Sequence, residues 1–414
     1  MSVAERWRLQ LVGIVWPIVC VFVVGCGGGG GSGGGSGFDG TIYHQVAASD
    51  IDGDGLTDLA AIAVVYGAAG NSIEVQILLQ NPANVGHFTV AQRLTLASYT
   101  GALAIADLDG DNRRDIVVSE PEPDRIRVFL QDAAAGHFTL HEQRAAAEHP
   151  TRVAVADTDQ DGAPDIIVAV NQGVLALRQD ASMPGTFPFQ TTIDGTQGGA
   201  TALAVAYQSL AVGDLNDDGL PDVATVRADS GARIYFQSAT TPGAFVPVRL
   251  GGMGLERPGA IAAGDVDADT FEDVAFAGVT IKPVAPLRPQ DSNTPGTFLG
   301  VYNVPIGDVG EPRAVAIADL TGDGLPDLVY GKSWVDYGIV DVWQQIGPPF
   351  ALQRVGVFPA IKLAHNDGNL TSMVVADLNG DGLPDVAVVD GELSCLFNDR
   401  GSPGHLLPAV RVVQ

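Results

Sequence analysis

The chain has 414 residues, of which 49 are Asp or Glu and only 22 are Lys or Arg, which gives a formal net charge of -27. Nucleic acids and anionic lipid headgroups bind to basic surfaces, so this balance predicts that neither is a partner. The length exceeds one ordinary core and predicts either several domains or a repeat array. The acidic excess indicates bound cations or a role in solubility, depending on where the acids lie.

The first 26 residues, MSVAERWRLQLVGIVWPIVCVFVVGC, are typical of an export signal. Arg6 and Arg8 precede an apolar run over residues 9–24 that is shorter than the roughly 20 residues of a spanning helix. The sequence VVGC at 23–26 resembles the lipobox of bacterial lipoproteins, in which the peptide is cut before the Cys and the Cys is acylated. The alternative is an ordinary signal peptide with a Cys at this place by chance.

A Gly/Ser tract, GGGGGSGGGSG, follows at 27–37 and is typical of a flexible tether. The lipobox resemblance therefore predicts a signal peptide over 1–25, a lipidated Cys26 with its tether over 26–37, and a folded domain over 38–414. It implies a lipoprotein of the bacterial outer membrane, at the periplasmic face or the cell surface, that contacts the membrane only through its lipid. The domain then keeps one cysteine, Cys395, whose apolar context predicts a buried residue and no intrachain disulfide.

One acidic phrase recurs seven times along the domain. Successive copies start between 50 and 58 residues apart, and a period of this length is typical of an array of supersecondary units. The copies are DIDGDGLTD (50–58), DLDGDNRRD (107–115), DTDQDGAPD (157–165), DLNDDGLPD (214–222), DVDADTFED (265–273), DLTGDGLPD (319–327) and DLNGDGLPD (377–385).

The residues around each phrase repeat as well. A strand of small apolar residues precedes it, a β-branched run follows, and then come an alternating third strand, a Gly-x-Phe turn and a fourth extended piece. Four short strands in each of seven units, with no helical pattern, predict an all-β fold, a seven-bladed β-propeller of four-stranded blades. An extended solenoid would need polar capping repeats, which the sequence lacks. The predicted blades are 42–96, 97–148, 149–195, 200–250, 256–307, 311–359 and 368–414.

The phrase places carboxylates at loop positions 1, 3, 5 and 9. Alternate residues of a tightly curled loop point inward, and Gly at position 6 permits the positive φ that brings the carbonyl of position 7 and the carboxylate of position 9 to the same centre. An all-oxygen set with several charges favours Ca²⁺ over Mg²⁺, and without a cation the carboxylates would repel one another. An EF-hand would need a Glu at position 12 and a following helix, whereas this loop ends at position 9 and leads into β-branched residues. The remaining alternative is a set of polar turns that bind no metal.

This combination resembles the FG-GAP/VCBS repeat family, whose calcium-loop blades also form the head of integrin α chains. The resemblance covers residue 42 to the C-terminus and implies that the loop joins the first two strands of each blade and holds a structural Ca²⁺, up to seven in all. The implied ligands are, blade by blade, Asp50, Asp52, Asp54, Leu56 and Asp58; Asp107, Asp109, Asp111, Arg113 and Asp115; Asp157, Asp159, Asp161, Ala163 and Asp165; Asp214, Asn216, Asp218, Leu220 and Asp222; Asp265, Asp267, Asp269, Phe271 and Asp273; Asp319, Thr321, Asp323, Leu325 and Asp327; Asp377, Asn379, Asp381, Leu383 and Asp385.

Three loops depart from the pattern. Blade 6 has Thr321 at position 3, where a hydroxyl is a weaker ligand, and blade 2 has Asn112 in place of the glycine at position 6. Blade 5 has Thr270 at position 6, and a β-branched residue resists positive φ. The sequence therefore points to blade 5 as the loop least able to form the metal site.

No catalytic motif accompanies the repeat: G-x-S-x-G, a P-loop and H-E-x-x-H are all absent from the sequence. The sequence predicts a monomeric platform that binds an unidentified protein or carbohydrate, a prediction that rests on analogy between folds. A secreted enzyme of the polysaccharide lyase or hydrolase type and a lectin are the alternatives. Trp334, Tyr337 and Trp343 in blade 6 are candidates for an aromatic patch, and the long segments 191–208 and 281–296 are candidates for specificity.

Overall fold

The computed structural model describes residues 40–412 except 68–69, 100, 147–148, 172, 195–206, 228–230, 252–254, 281–284, 308–309, 335–336, 348–350 and 361–369. The predicted signal peptide, Cys26 and the tether lie outside the described residues, as do residues 195–206 and 281–284 of the two long segments. No helix among the residues described is both long and apolar enough to cross a membrane.

The described chain forms seven antiparallel sheets of four strands each, which confirms the all-β seven-bladed propeller. In each blade the strands lie in sequence order, from the innermost to the outermost. Blade by blade, the strands are β1 (Gly40–Ser49), β2 (Asp58–Tyr66), β3 (Ser72–Gln80) and β4 (Phe88–Leu96); β5 (Leu103–Ala106), β6 (Asp115–Glu120), β7 (Arg125–Gln131) and β8 (Phe138–Ala145); β9 (Arg152–Ala156), β10 (Asp165–Val170), β11 (Gly173–Arg178) and β12 (Phe189–Asp194); β13 (Tyr207–Gly213), β14 (Asp222–Arg227), β15 (Gly231–Gln237) and β16 (Phe245–Leu250); β17 (Leu255–Gly264), β18 (Asp273–Thr280), β19 (Ala285–Arg288) and β20 (Tyr302–Val304); β21 (Glu311–Ala318), β22 (Asp327–Trp334), β23 (Tyr337–Gln345) and β24 (Leu352–Pro359); β25 (Ser372–Ala376), β26 (Asp385–Val389), β27 (Leu393–Leu396) and β28 (Val410–Arg411).

The ring closes between the first and last blades. The Tyr43 backbone N–H donates to the Gly391 carbonyl at 2.8 Å, and the Val46 N–H donates to the Ser372 hydroxyl at 3.3 Å. An apolar cluster that includes Val46 and Val389 spans the same junction. Both apolar packing and hydrogen bonds therefore join the ends of the domain.

The core lies between neighbouring sheets. Second strands such as β6 and β10 are buried along their whole length, whereas the outer strand β8 alternates toward solvent. This difference explains why second strands are continuous β-branched runs and outer strands mix polar and apolar residues. Cys395 is buried among these strands, and burial raises the pKa of its thiol.

The Gly-x-Phe turns between third and fourth strands pack against the preceding blade. The turn glycines Gly136 and Gly185 have φ of 70° and 80°, and a Cβ on Gly136 would lie 2.8 Å from the Leu79 side chain of blade 1. At Gly185 the corresponding distance to Leu130 of blade 2 is 3.2 Å. The repeated glycine therefore meets two needs, positive φ and close approach to the neighbouring blade.

Because the sheets are antiparallel, these turns lie at the same end of each blade as the acidic loops between first and second strands. The hairpins between second and third strands and the connections between blades lie at the opposite end. We call these the loop end and the connection end. The candidate site is built at the loop end.

Candidate metal centre: the aspartate loops

All seven acidic loops have the same backbone conformation. Position 6 has positive φ in every copy, as the sequence predicted for the glycines and for Asn112 (66°). Thr270 has positive φ as well (80°), although a β-branched residue was expected to resist it. Position 4 has positive φ in every copy too, which the sequence-based account missed because only four copies have glycine there. The residues at position 4 are Gly53, Gly110, Gln160, Asp217, Ala268, Gly322 and Gly380.

The aspartate at position 1 closes the loop. Its Oδ2 accepts the backbone N–H of position 6 in all seven blades, from 2.8 Å at Asp107 to 3.1 Å at Asp50. The aspartate at position 5 accepts the N–H of position 7 in all seven as well, for example at 2.8 Å between Asp54 and Leu56. These bonds curl the loop back on itself in every blade.

The aspartate at position 9 is buried in every blade and anchors the loop to the sheet. One oxygen accepts a backbone N–H from the end of the third strand, at 2.7 Å from Gln80 to Asp58, and this bond recurs in all seven blades. The other accepts the N–H of position 2 in six blades, as from Ile51 at 2.9 Å. In blade 6 the donor is the N–H of Thr321 instead.

A side-chain amide at the end of the third strand supports the loop in six blades, a role that was not predicted from the sequence. In blade 6 the side-chain amide of Gln345 has no hydrogen-bond partner among the described residues. In blade 2, Gln131 donates from Nε2 to the carbonyls of Arg114 (2.9 Å) and of Ile51 in blade 1 (2.8 Å), and it accepts the N–H of the turn residue Gly136. The available signal was that an amide residue precedes an Asn, Asp or Ser in six of the seven copies; in blade 6 it precedes Ile346. The amide residues are Gln80, Gln131, Gln179, Gln237, Gln290, Gln345 and Asn398.

Carboxylates converge in four of the loops. In blades 1, 2 and 3 the aspartates at positions 1, 3 and 9 each place an oxygen within 4.8 Å of the others, and in blade 5 positions 1, 3 and 5 do so. Blades 4, 6 and 7 have Asn216, Thr321 and Asn379 at position 3, where a neutral oxygen replaces a carboxylate.

The donor set fits a hard cation. It consists of oxygen atoms. In blade 3, where Asp159 forms a group with Asp157 and Asp165, the buried Oδ1 of Asp159 has no hydrogen-bond partner among the described residues. A buried carboxylate oxygen without a partner is costly unless a cation or donor faces it. Oxygen ligands in this number suit Ca²⁺.

The electrostatics of the loops agree with this. Burial raises the pKa of Asp58 to about 6 and of Asp222 and Asp273 to about 8, and neighbouring loop carboxylates add to the rise against the opposing effect of the N–H bonds. In blade 5, burial and then repulsion from Asp269 and Asp265 raise the pKa of Asp267 to about 7. A cation bound among these carboxylates would instead lower their pKa values.

Blade 5 adopts the common loop conformation despite its sequence. Ala268 and Thr270 have φ of 61° and 80°, and the Thr270 N–H still donates to Asp265 at 2.8 Å. The threonine therefore strains the loop without opening it, since a left-handed conformation costs an L-residue roughly 1–2 kcal/mol. Metal binding by this loop stays a prediction.

The blade 6 aromatic residues do not share one exposed surface. Trp343 is 6% exposed and packs in the core, with the Arg354 guanidinium 5.8 Å from its ring centroid. Trp334, at the connection end of β22, is 36% exposed, and the side chain of Tyr337 lies outside the described part.

Comparison with known families agrees with the repeat. The model of the FG-GAP-like repeat matches residues 50–118, 107–168, 157–225 and 214–276, and each match begins at position 1 of a loop. These matches span more than half of the chain. The chain belongs to the FG-GAP-like repeat family.

Among solved structures, this propeller is similar to an Agrocybe aegerita lectin that recognises non-reducing terminal N-acetylglucosamine. The two are 20% identical with a TM-score of 0.55, over 90% of this chain and 94% of that chain. It is also similar to BBS1N in complex with ARL6DN, at 12% identity and a TM-score of 0.49, over 77% and 84% of the two chains. The likeness to the lectin shows the fold alone. No curated protein matches this chain.

Replacing Thr270 with Gly should stabilise the protein. Glycine removes the left-handed strain and keeps the backbone N–H that binds Asp265, so we expect the free energy of unfolding in urea to rise by about 1 kcal/mol. The control is Thr89→Gly on the exposed face of β4, which should lower it, because glycine weakens a strand. An unchanged or lower stability of Thr270→Gly would show that the loop is not strained.

Proposed function

We propose that this protein is a lipid-anchored, calcium-stabilised propeller whose rigid surface binds a protein or glycan at the bacterial outer membrane. The observation that carries the calcium part is the convergence of carboxylates from positions 1, 3 and 9 in blades 1 to 3. Buried like charges at this separation destabilise the folded loop unless a cation lies among them.

The residues that would hold calcium are those of the loop itself. Positions 1, 3, 5 and 9 supply side-chain oxygens and position 7 a carbonyl, and the ion would supply positive charge to offset their repulsion. In blades 4, 6 and 7 the amide or hydroxyl at position 3 leaves a less charged set. We therefore propose seven related sites of unequal affinity.

Calcium removal should destabilise the propeller, and more at pH 8 than at pH 5. A carboxyl whose pKa is raised on folding, such as Asp222 at about 8, favours the folded state while it is protonated, and this contribution is lost as the pH rises toward 8. We expect calcium-free protein to melt at least about 5 °C below the calcium-loaded protein at pH 8, with a smaller difference at pH 5. Melting curves at both pH values and calorimetric calcium titration of residues 38–414 measure this.

Magnesium at the same concentration is the control, and it should restore less stability because it demands a tighter octahedral shell. Identical melting curves with and without calcium at pH 8, together with no heat of binding, would contradict the calcium proposal.

The binding surface is proposed at the connection end. Among the described residues, Tyr99 (44% exposed) between blades 1 and 2 and Trp334 (36%) in blade 6 are large aromatic side chains exposed there. Aromatic faces are used to bind sugars and protein side chains alike. The lectin with the same fold makes glycans the first class to test, whereas the enzyme alternative has no assigned residues.

A glycan array should therefore show calcium-dependent binding that Trp334→Ala weakens by about tenfold, as expected for one lost stacking contact of about 1.4 kcal/mol. The matched control is Phe189→Ala, which removes an aromatic side chain of 52% exposure from an outer strand. Absence of binding to every glycan would exclude this class and direct the search to protein partners.

The lipid anchor is proposed from the sequence VVGC and the Gly/Ser tract after it. Full-length protein made in a bacterium should incorporate labelled fatty acid and partition into detergent, and Cys26→Ser should abolish both. Cys20→Ser, which changes a cysteine inside the apolar run, is the control. Labelling that persists in Cys26→Ser would contradict the assignment.

A further inference from the structure

Blades 1 and 3 contain the same set of loop aspartates but differ in what surrounds them. Both have aspartate at positions 1, 3, 5 and 9 and glycine at position 6. In blade 3 alone of the two, a guanidinium reaches the loop: Nε of Arg178, the last residue of β11, lies 2.6 Å from Oδ2 of Asp159 at position 3. For Asp52, the equivalent residue of blade 1, no ion pair occurs within the part of the chain described.

The geometry at Asp159 separates its two oxygens. Oδ2 faces Arg178, while Oδ1 is buried and has no hydrogen-bond partner among the described residues. The residue itself forms a group with Asp157 and Asp165. The Asp159 side chain is only 7% exposed, so solvent screens this ion pair less than it would a surface pair. The arginine thus pairs with one oxygen of Asp159 and leaves the other without a partner among the described residues.

The position that Arg178 occupies is common to the blades, whereas its charge is not. In blades 1 and 3 the third strand places the equivalent residue against the turn glycine of the next blade: Leu79 against Gly136, and Arg178 against Gly243, where a Cβ would lie 3.4 Å from the guanidinium. Leucine therefore fills the same place in blade 1. Substituting leucine for Arg178, or arginine for Leu79, therefore changes the charge beside the loop but keeps an aliphatic side chain in contact with the turn glycine.

We propose that Arg178 is a built-in counter-charge that keeps the blade 3 loop folded when calcium is absent. The guanidinium reduces the formal negative charge of the four-aspartate set by one, and its ion pair with Oδ2 restrains the Asp159 side chain. The loop of blade 1 has neither effect and depends on the ion. This inference rests on the calcium binding proposed above and adds that the sites differ in their dependence on it.

Blade 2 offers a related arrangement by a different route. Arg113, at position 7 of its own loop, pairs with Asp111 and donates from Nε to the Gln131 carbonyl at 3.2 Å. Because blade 2 thereby has a basic residue within its loop, blade 1 is the proper comparison for blade 3.

Hydrogen exchange of the loop amides, measured by mass spectrometry in calcium and in chelator, tests the proposal. In the wild type, amides of 51–56 should exchange at least about tenfold faster in chelator than in calcium, whereas amides of 158–163 should change less than about threefold. Arg178→Leu should give the blade 3 loop the chelator sensitivity of blade 1. The reciprocal Leu79→Arg should reduce that sensitivity in blade 1.

Calcium should return the Arg178→Leu loop to the wild-type rate, which a purely structural contact would not allow. The control is Arg411→Leu in the outer strand β28. It removes an arginine whose side chain is 48% exposed and breaks its ion pair with the buried Glu392. It should leave both loops unchanged.

Two outcomes would overturn the inference alone: equal chelator sensitivity of the blade 1 and blade 3 loops in the wild type, or faster exchange of Arg178→Leu to the same degree with and without calcium. If calcium slowed exchange in none of the seven loops, the calcium proposal itself would fail and the inference with it.

Discussion

The buried aspartate at position 9 is the contact on which the rest of each blade depends. Both of its oxygens accept backbone N–H groups, one from the start of the loop and one from the end of the third strand, as in Asp58 with Ile51 and Gln80. One side chain therefore fixes the loop to the sheet and sets the separation of three strands. Its charge is costly to bury, and the loop compensates with N–H donors and, in our proposal, with a cation. An asparagine there would offer one acceptor oxygen in place of two.

The same end of the blades also couples one blade to the next. Amides at the ends of third strands cross the boundary, from Gln131 to the Ile51 carbonyl, from Gln237 to Asp157 and from Asn398 to Leu320. The turn glycines pack against the preceding blade beside these bonds. A loop that opened would thus loosen its own sheet and the turn of its neighbour. Calcium bound at one of the proposed loop sites would therefore stabilise contacts in two blades.

Much of this architecture could be predicted from the sequence, because each blade is encoded by a short segment whose pattern recurs seven times. The seven phrases, their spacing and the β-branched runs after them indicated the blades, and the glycine at position 6 indicated the turn. The positive φ at position 4 was missed, since Gln160, Asp217 and Ala268 hide it. The amide of Gln131 and the guanidinium of Arg178 were missed for another reason. Their roles depend on partners in a neighbouring blade or across the sheet, and only the register of folded strands brings those partners together.

The division between the two ends of the blades limits how such a protein can change. At the loop end, the aspartates at positions 1, 5 and 9 accept hydrogen bonds within their own blade, and third-strand amides reach the next blade, so a substitution of these residues acts on stability. Thr270 shows that even a strained residue is accommodated when the position 1 aspartate keeps its N–H bond. Among the described residues of the connection end, no hydrogen-bond network recurs in all seven blades, and its segments differ in length from blade to blade. A partner surface there can vary without disturbing the aspartate loops. Arg178 shows that the loops themselves also differ from blade to blade. It keeps one loop of the ring closed by a charge that belongs to the chain, so the propeller need not depend equally on calcium at every blade.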